Sequence, residues 1–135
     1  MSALTTINIC DSHVDYLPLN LFILRLQSNE MINICLNNNH HLNGSSFEIN
    51  SLINIKRPAQ IYLQFSNLYK LNFLDQKVFH LFLYANENNK LILTNRPIDC
   101  NDCRLYWIKM YSKIVEKIVN LKCDNGIEFS DNLIS

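Results

Sequence analysis

Glycine is scarce in this chain, which has only two glycines in 135 residues, Gly44 and Gly126. Phosphate-binding loops and dinucleotide-binding turns need clustered glycines, because the backbone must approach the phosphate closely. The two glycines stand far apart, so the sequence excludes both kinds of nucleotide site.

An excess of charge of either sign is also missing. Lys and Arg together number 12, as do Asp and Glu. Because nucleic acids and anionic membranes are bound through surplus Lys and Arg, this balance predicts no nucleic-acid partner and no stable membrane association. No apolar run approaches the roughly 18 residues of a membrane span.

The beginning of the chain, MSALTTINIC, lacks the charged and apolar regions of a secretory signal. We therefore expect a cytoplasmic or nuclear protein, in which thiols stay reduced. The five cysteines are an odd number, which also argues against a disulfide framework. In that setting Asn43-Gly44-Ser45 reads as a turn and not as a glycosylation site.

Apolar and polar residues alternate through much of the chain, which is typical of half-buried strands. Ile32, Ile34 and Leu36, for example, share one face, and Asn33 and Cys35 lie on the other. IYLQFS and YKLNF fit either a hairpin or one long strand, and NENN has hairpin length. The predicted strands are LFILRLQ (21–27), MINICLNN (31–38), FEINSLINI (47–55), IYLQFS (61–66), YKLNF (69–73), KVFHLFLYA (77–85) and KLILTN (90–95).

After Pro97 the period changes and predicts one helix from about residue 101 to residue 121. A polar stripe carries Lys109, Lys113 and Lys117, and apolar residues fill a wide remaining face. The size fits one domain over 21–123, with a strand-like or irregular lead-in segment at 1–20 around TINIC and a tail at 124–135. No internal repeat is evident.

This order of elements resembles the pleckstrin-homology-like superfold. The segment KVFHLFLYANENNKLILTNRPIDCNDCRLYWIKMYSKIVEKI is similar to the closing hairpin and helix of such domains, with Trp107 packing into the barrel. The resemblance implies an α+β fold: an antiparallel sheet of six or seven strands, or a partly open barrel, closed by one C-terminal helix. It also implies binding without catalysis.

Lipid-binding members of that superfold need several cations on the first two strands. LRLQSNEMINICLNN offers one Arg, one Glu and no Lys, so phosphoinositide binding remains only a second alternative.

Two short segments carry the residues for an alternative function, a zinc-containing or hydrolytic protein. CDSHVDY places Asp11, His13 and Asp15 on one face if it is extended, and CNDC places Cys100 and Cys103 at a helix start. Zinc needs four ligands, so Cys35, Cys123 or a histidine (His40, His41 or His80) would have to complete a site. The simpler interpretation is that Cys10, Cys35 and Cys123 fill apolar space and that Cys100 and Cys103 pack where strand meets helix.

The sequence thus favours a non-catalytic protein–protein interaction module, an adaptor or a subunit of a hetero- or homo-oligomer, with no cofactor, metal or catalytic residue. The apolar surplus of the helix predicts the contact surface, and the strand KLILTNR is the other candidate, as an edge that a partner strand could extend. The predicted partner-binding residues are Tyr106, Met110, Tyr111, Lys113 and Ile114.

Overall fold

Five parallel strands form one sheet, with the helices in the connections between them. The computed structural model describes residues 5–13, 15–18, 30–37, 39, 47–48, 50–63, 76–93, 100–101, 103–123 and 126. The strands are β1 (Thr6–Asn8), β2 (Ile32–Cys35), β3 (Ala59–Leu63), β4 (Lys90–Leu93) and β5 (Ile118–Val119). The helices are α1 (Gln76–Ala85), α2 (Tyr106–Met110) and α3 (Ser112–Lys117), with 3₁₀ turns at Ser51–Asn54 and Cys103–Leu105.

The strands follow one another across the sheet in chain order, β1 to β5. One aliphatic residue of each strand lies beside its counterpart in the next, at intervals of 27, 27, 30 and 27 residues: Ile7, Ile34, Ile61, Leu91 and Ile118. Strands that follow one another in the chain are thus neighbours in the sheet, as in a solenoid whose successive turns stack on one another. The described residues form five such turns.

Alternation along the strands decides which side chains form the core. Ile32 and Ile34 of β2 and Ile61 of β3 have no solvent exposure, whereas the residues between them keep some. Leu63, the last residue of β3, and Leu36, the residue after β2, are also buried on this side. One side of the sheet is therefore core, and the other meets solvent.

The core is closed on the side opposite the sheet by the segments around Leu17 and Phe47 and by α1. Leu17 and Phe47 form a parallel bridge, and the Glu48 amide donates to the Leu17 carbonyl at 3.0 Å. The Phe47 ring packs edge-on against Phe79 of α1, with ring centroids 5.1 Å apart. Because α1 presents Val78, Phe79, Phe82 and Leu83 inward at helical spacing, it buries one full stripe against this core.

Two buried asparagines hold neighbouring turns together. Asn39 Nδ2 donates to the carbonyls of Ile9 at 3.0 Å and Leu36 at 2.9 Å, while its Oδ1 accepts from the Ser12 amide at 3.2 Å. Asn39 has no solvent exposure. Buried backbone groups without partners cost about 1–3 kcal/mol each, so one side chain that pairs three of them fixes the bend after β1 and β2.

Asn89 performs the same task between α1 and β3. Its Oδ1 accepts from the Ala59 amide at 2.8 Å, and its Nδ2 donates to the Phe82 carbonyl at 2.7 Å. The side chain is almost completely buried. It therefore sets the position of α1 relative to the start of β3.

The C-terminal helical region is broken and leads into a strand. Tyr111 has extended backbone angles, φ −128° and ψ 93°, so α2 ends before it and α3 starts after it. Ile118 and Val119 then pair with Leu91 and Ile92 of β4. The prediction of one continuous helix with nothing strand-like after it is therefore wrong, and the helical segments are a crossover between parallel strands.

The predicted fold class is also wrong. The sheet is all parallel with five strands, which overturns the antiparallel sheet of six or seven strands, the partly open barrel and the pleckstrin-homology-like order. Alternation reports which face is buried, but it carries no information on strand direction or on which strands are neighbours. The repeat of about 27 residues also went unrecognised.

The individual strand predictions have mixed outcomes. MINICLNN contains β2 and KLILTN contains β4, whereas IYLQFS overlaps only the last three residues of β3, which begins at Ala59. FEINSLINI instead holds a bridge residue and a 3₁₀ turn that follows Asn50, whose φ is 69°. KVFHLFLYA is α1, so NENN joins a helix to a strand and is not a hairpin. LFILRLQ, YKLNF and Asn43-Gly44-Ser45 lie outside the described residues. So does the tail at 124–135 apart from Gly126, whereas β1 lies within the segment 1–20.

Four of the five cysteines form disulfides, which corrects the expectation that all are reduced. Cys10 is bonded to Cys35 and Cys100 to Cys123, each with Cα atoms 5.4 Å apart. Cys103 is free and exposed. An odd count leaves one thiol over but does not prevent the others from pairing. Within the described part of the chain no helix is long and apolar enough to cross a membrane.

Candidate functional site

The side of the sheet opposite the core presents two rows of side chains, which we call the open sheet face. The strand register aligns Thr6, Asn33, Gln60 and Lys90 in one row, and Asn8, Cys35, Tyr62, Ile92 and Val119 in the other. All nine residues retain solvent exposure, whereas their core-facing neighbours on β2, β3 and β4 have almost none. The sequential strand order thus builds one continuous surface from five separate turns.

The middle of this face is an amide and phenol cluster. The Tyr62 hydroxyl donates to Gln60 Oε1 at 3.3 Å, which orients the Gln60 amide. Asn33 lies beside Gln60 on the next strand. Neighbouring strands are about 4.8 Å apart, so the two carboxamides can act on the same ligand.

The Cys10–Cys35 disulfide fixes one end of the open sheet face. Cys35 belongs to the row of Tyr62, and Cys10 follows β1. The Cys10 amide also donates to Asn8 Oδ1 at 3.0 Å. The first two turns are therefore joined covalently at the surface where a ligand would lie.

The residues predicted for partner binding divide between surface and core. Tyr106 and Met110 are each 61% exposed, and Lys113 is also exposed. Tyr111 is half-buried against the core, and Ile114 is only 1% exposed. Ile114 therefore belongs to the core, since its side chain points inward from α3, and its predicted role in partner binding would need the core to open.

The half-buried ring of Tyr111 belongs to an aromatic cluster between α1 and α2. His80 of α1 has ring centroids 5.0 Å from Tyr84, 5.0 Å from Tyr111 and 5.6 Å from Trp107. The Trp107 side chain is 4% exposed, which places it in the core as the sequence predicted, although the barrel predicted around it is absent. The buried Nε2 atom of His80 has no hydrogen-bond partner. The cluster packs α1 against α2 and Tyr111.

The described part of the other predicted contact element KLILTNR, Lys90–Leu93, does not form an edge. It is paired with β3 along its whole length and with β5 at Leu91 and Ile92. Its backbone groups are therefore engaged, and strand addition at this position is impossible without displacing β5.

The segments predicted for metal or acid–base chemistry are not assembled into a site. Asp11, His13 and Asp15 are exposed, and the first two have positive φ, 57° and 56°, so the segment is bent and not extended. No group of three or more ligand-type residues that could hold a metal occurs among the described residues. Cys100 is committed to Cys123, and His40 and His41 lie outside the described residues.

Among the described residues, Lys117 is the group whose pKa is shifted. Its ammonium donates to the carbonyls of Leu83 at 2.6 Å and Asn86 at 3.0 Å. Desolvation lowers the pKa of this amine, and the nearby charge of Glu87 opposes the shift. Cations are favoured at helix C-termini, so the contact is structural and closes the end of α1.

Comparison with known proteins gives no family for this chain: no protein-family model, curated protein or solved structure matches it. The function must therefore be argued from the surface itself.

Proposed function

We propose that this chain is a non-catalytic interaction module that binds a protein partner through the open sheet face. The observation that carries the proposal is the alignment of nine solvent-accessible side chains from five sequential parallel strands. Solenoids use such extended surfaces for binding, because every turn contributes side chains at the same level.

The spacing of core residues within the turns supports a binding role. Four of the five turns carry two aliphatic residues separated by one position: Ile7 and Ile9, Ile34 and Leu36, Ile61 and Leu63, Leu91 and Leu93. The second turn adds Asn39 three residues later, and the fifth turn has Cys123 at that position. This pattern resembles the L-x-L-x-x-N/C segment of leucine-rich repeats, in which a strand and a short helix form each turn.

The chemistry of the open sheet face also favours binding over catalysis. It offers amides, one phenol, one ammonium group and aliphatic side chains, which suit hydrogen bonding and packing. General acid–base catalysis needs a carboxylate or imidazole positioned against a substrate. Asp11, His13 and Asp15 remain the residues of the alternative hydrolytic or metal function; all three are exposed, and the backbone is bent at Asp11 and His13.

Cross-linking mass spectrometry of the tagged protein in its native cells tests the proposal. We expect cross-linked partners to be lost in a Tyr62→Arg/Ile92→Arg variant and retained in a Tyr106→Ser/Met110→Ser variant. Both pairs leave the core untouched, so circular dichroism should show folded protein in each case. Loss of partners from the helix variant alone would move the interface to the surface predicted from the sequence.

A further inference from the structure

The open sheet face changes in polarity from one end to the other. At β1 and β2 it presents the polar side chains Thr6, Asn8 and Asn33, and at β4 and β5 it presents the apolar Ile92 and Val119 in one row with Lys90 in the other. Tyr62 lies between the two halves. A ligand that covers the whole face must therefore be polar along one part and apolar along another.

One charge stands on this face, the ammonium group of Lys90. Lys90 is exposed and starts β4, next to Gln60 of β3. Lys117, the last residue of α3, comes directly before β5, but its ammonium is bonded to α1 and lies in the field of Glu87. Lys90 is thus the group that can attract an anion on the ligand.

Hydrogen bonding on the face suits a peptide backbone. The amide of Gln60, oriented by Tyr62, and the adjacent amide of Asn33 each offer a donor and an acceptor. A polypeptide offers the same pair of groups at every residue. Its side chains can in addition supply a carboxylate and an apolar group at separate positions, which a neutral glycan cannot.

We propose that the ligand is an extended segment of another polypeptide that crosses the strands from β1 to β5. The segment places an acidic side chain against Lys90 and an apolar side chain against Ile92 and Val119. Its backbone hydrogen bonds with Asn33 and Gln60. Five strands span about 19 Å at the usual spacing of about 4.8 Å, so about six residues of extended chain cover the face. This inference rests on the proposed function and assigns the class of partner.

Selection from a random twelve-residue peptide library displayed on phage tests the partner class, using the full oxidised chain as bait. We expect enriched peptides to share an Asp or Glu followed or preceded within about three residues by an apolar side chain. The same selection on Lys90→Glu should enrich Lys or Arg at that position. Lys113→Glu is the matched control, since it makes the same charge change on α3, away from the sheet.

The affinity of each variant for synthetic peptides from the selection can be measured by fluorescence anisotropy. We expect Lys90→Glu to weaken binding about fivefold in low salt relative to Lys113→Glu, and the difference to shrink as salt screens the pair. Asn33→Ala/Gln60→Ala should weaken binding without changing the acidic preference.

The possible failures are distinguishable. In one outcome peptides bind, Tyr62→Arg abolishes binding, and Lys90→Glu changes neither the affinity nor the consensus sequence. The proposed acidic side chain of the ligand would then be wrong, whereas the proposed binding face would be supported. Binding that responds to Lys113→Glu and not to the sheet variants would overturn both proposals. The same variants are also tested on a neutral-glycan array. If they bind there and the peptide library shows no binding, the proposal of a polypeptide ligand is wrong.

Discussion

Lys117 closes the C-terminal end of α1 by donating from its ammonium to the Leu83 carbonyl, although the two residues are 34 positions apart in the chain. A second bond reaches the Asn86 carbonyl. The last carbonyls of a helix have no partner within the helix, so a cation from another turn supplies one. This contact ties the connection between β3 and β4 to the connection between β4 and β5.

Replacing Lys117 with Met should lower the free energy of unfolding by about 1–2 kcal/mol at neutral pH, because the Leu83 and Asn86 carbonyls lose their donor and this loss exceeds the desolvation cost of the amine. The pKa of Lys117 is lowered in the folded chain from its ordinary value of 10.5. At a pH between the pKa of Lys117 in the folded chain and its pKa in the unfolded chain, the unfolded chain binds more protons than the folded chain. The contribution of Lys117 to stability should therefore rise with pH over this interval. Urea denaturation of both proteins from pH 7 upward measures the difference. A difference that fell over this interval would contradict the assignment.

Replacing Asn39 with Ala should cost about 2–4 kcal/mol, because it leaves the Ile9 and Leu36 carbonyls and the Ser12 amide without their partner. Asn33→Ala is the control of identical chemistry on the solvent side of β2, where we expect a change within about 0.5 kcal/mol. Equal costs for the two variants would mean that the Asn39 amide does not hold the first two turns together.

Removing the Cys100–Cys123 bond with Cys123→Ser should destabilise the oxidised chain by about 3 kcal/mol, the usual effect for a loop of this length. Cys103→Ser should change stability by less than about 0.5 kcal/mol, because that thiol is free and exposed. Thermal unfolding with and without a reductant provides the check. In the reductant the parent chain and the Cys123 variant should unfold at nearly the same temperature, because both then lack both disulfides. A parent chain indifferent to reduction would show that neither bond is formed in solution.

Truncating Trp107 to Ala should cost about 3–5 kcal/mol, the range for a buried large aromatic residue. The loss includes its ring contact with His80. Tyr106→Ala, at the exposed neighbouring position, should be within about 0.5 kcal/mol of the parent chain. Guanidinium denaturation followed by circular dichroism compares the two variants, and similar midpoints for both would place Trp107 on the surface.

The sequence predicted the faces of single strands better than their arrangement. Ile32, Ile34 and Leu36 are buried as the alternation predicted, because burial on one side is a local property of a strand. The segment KVFHLFLYA was misassigned since a short apolar run satisfies both periods. Its buried residues, Val78, Phe79, Phe82 and Leu83, recur at helical spacing, which was the available signal.

The binding surface could not be assembled from the sequence, because Asn33, Gln60 and Lys90 are about 27 to 30 residues apart and become neighbours only through the parallel register. The recurring aliphatic pairs, such as Ile34 with Leu36 and Ile61 with Leu63, would have revealed that register. The surrounding sequence differs from turn to turn, so the repeat is hard to see. The same pattern would have singled out Asn39, which lies three residues after Leu36.

The positions of the two disulfides determine how the molecule should respond to a pulling force. One bond joins the first two turns and the other joins the last two, so in the oxidised chain only the stretch between Cys35 and Cys100 and the ends outside the bonds can be extended. The loops closed by the two disulfides span 25 and 23 positions, and the force does not act on them while the bonds are intact. Reduction should therefore lengthen the fully stretched chain by about 160 Å at about 3.4 Å per residue. A module of this kind would behave as a short tether when oxidised and as a longer one when reduced.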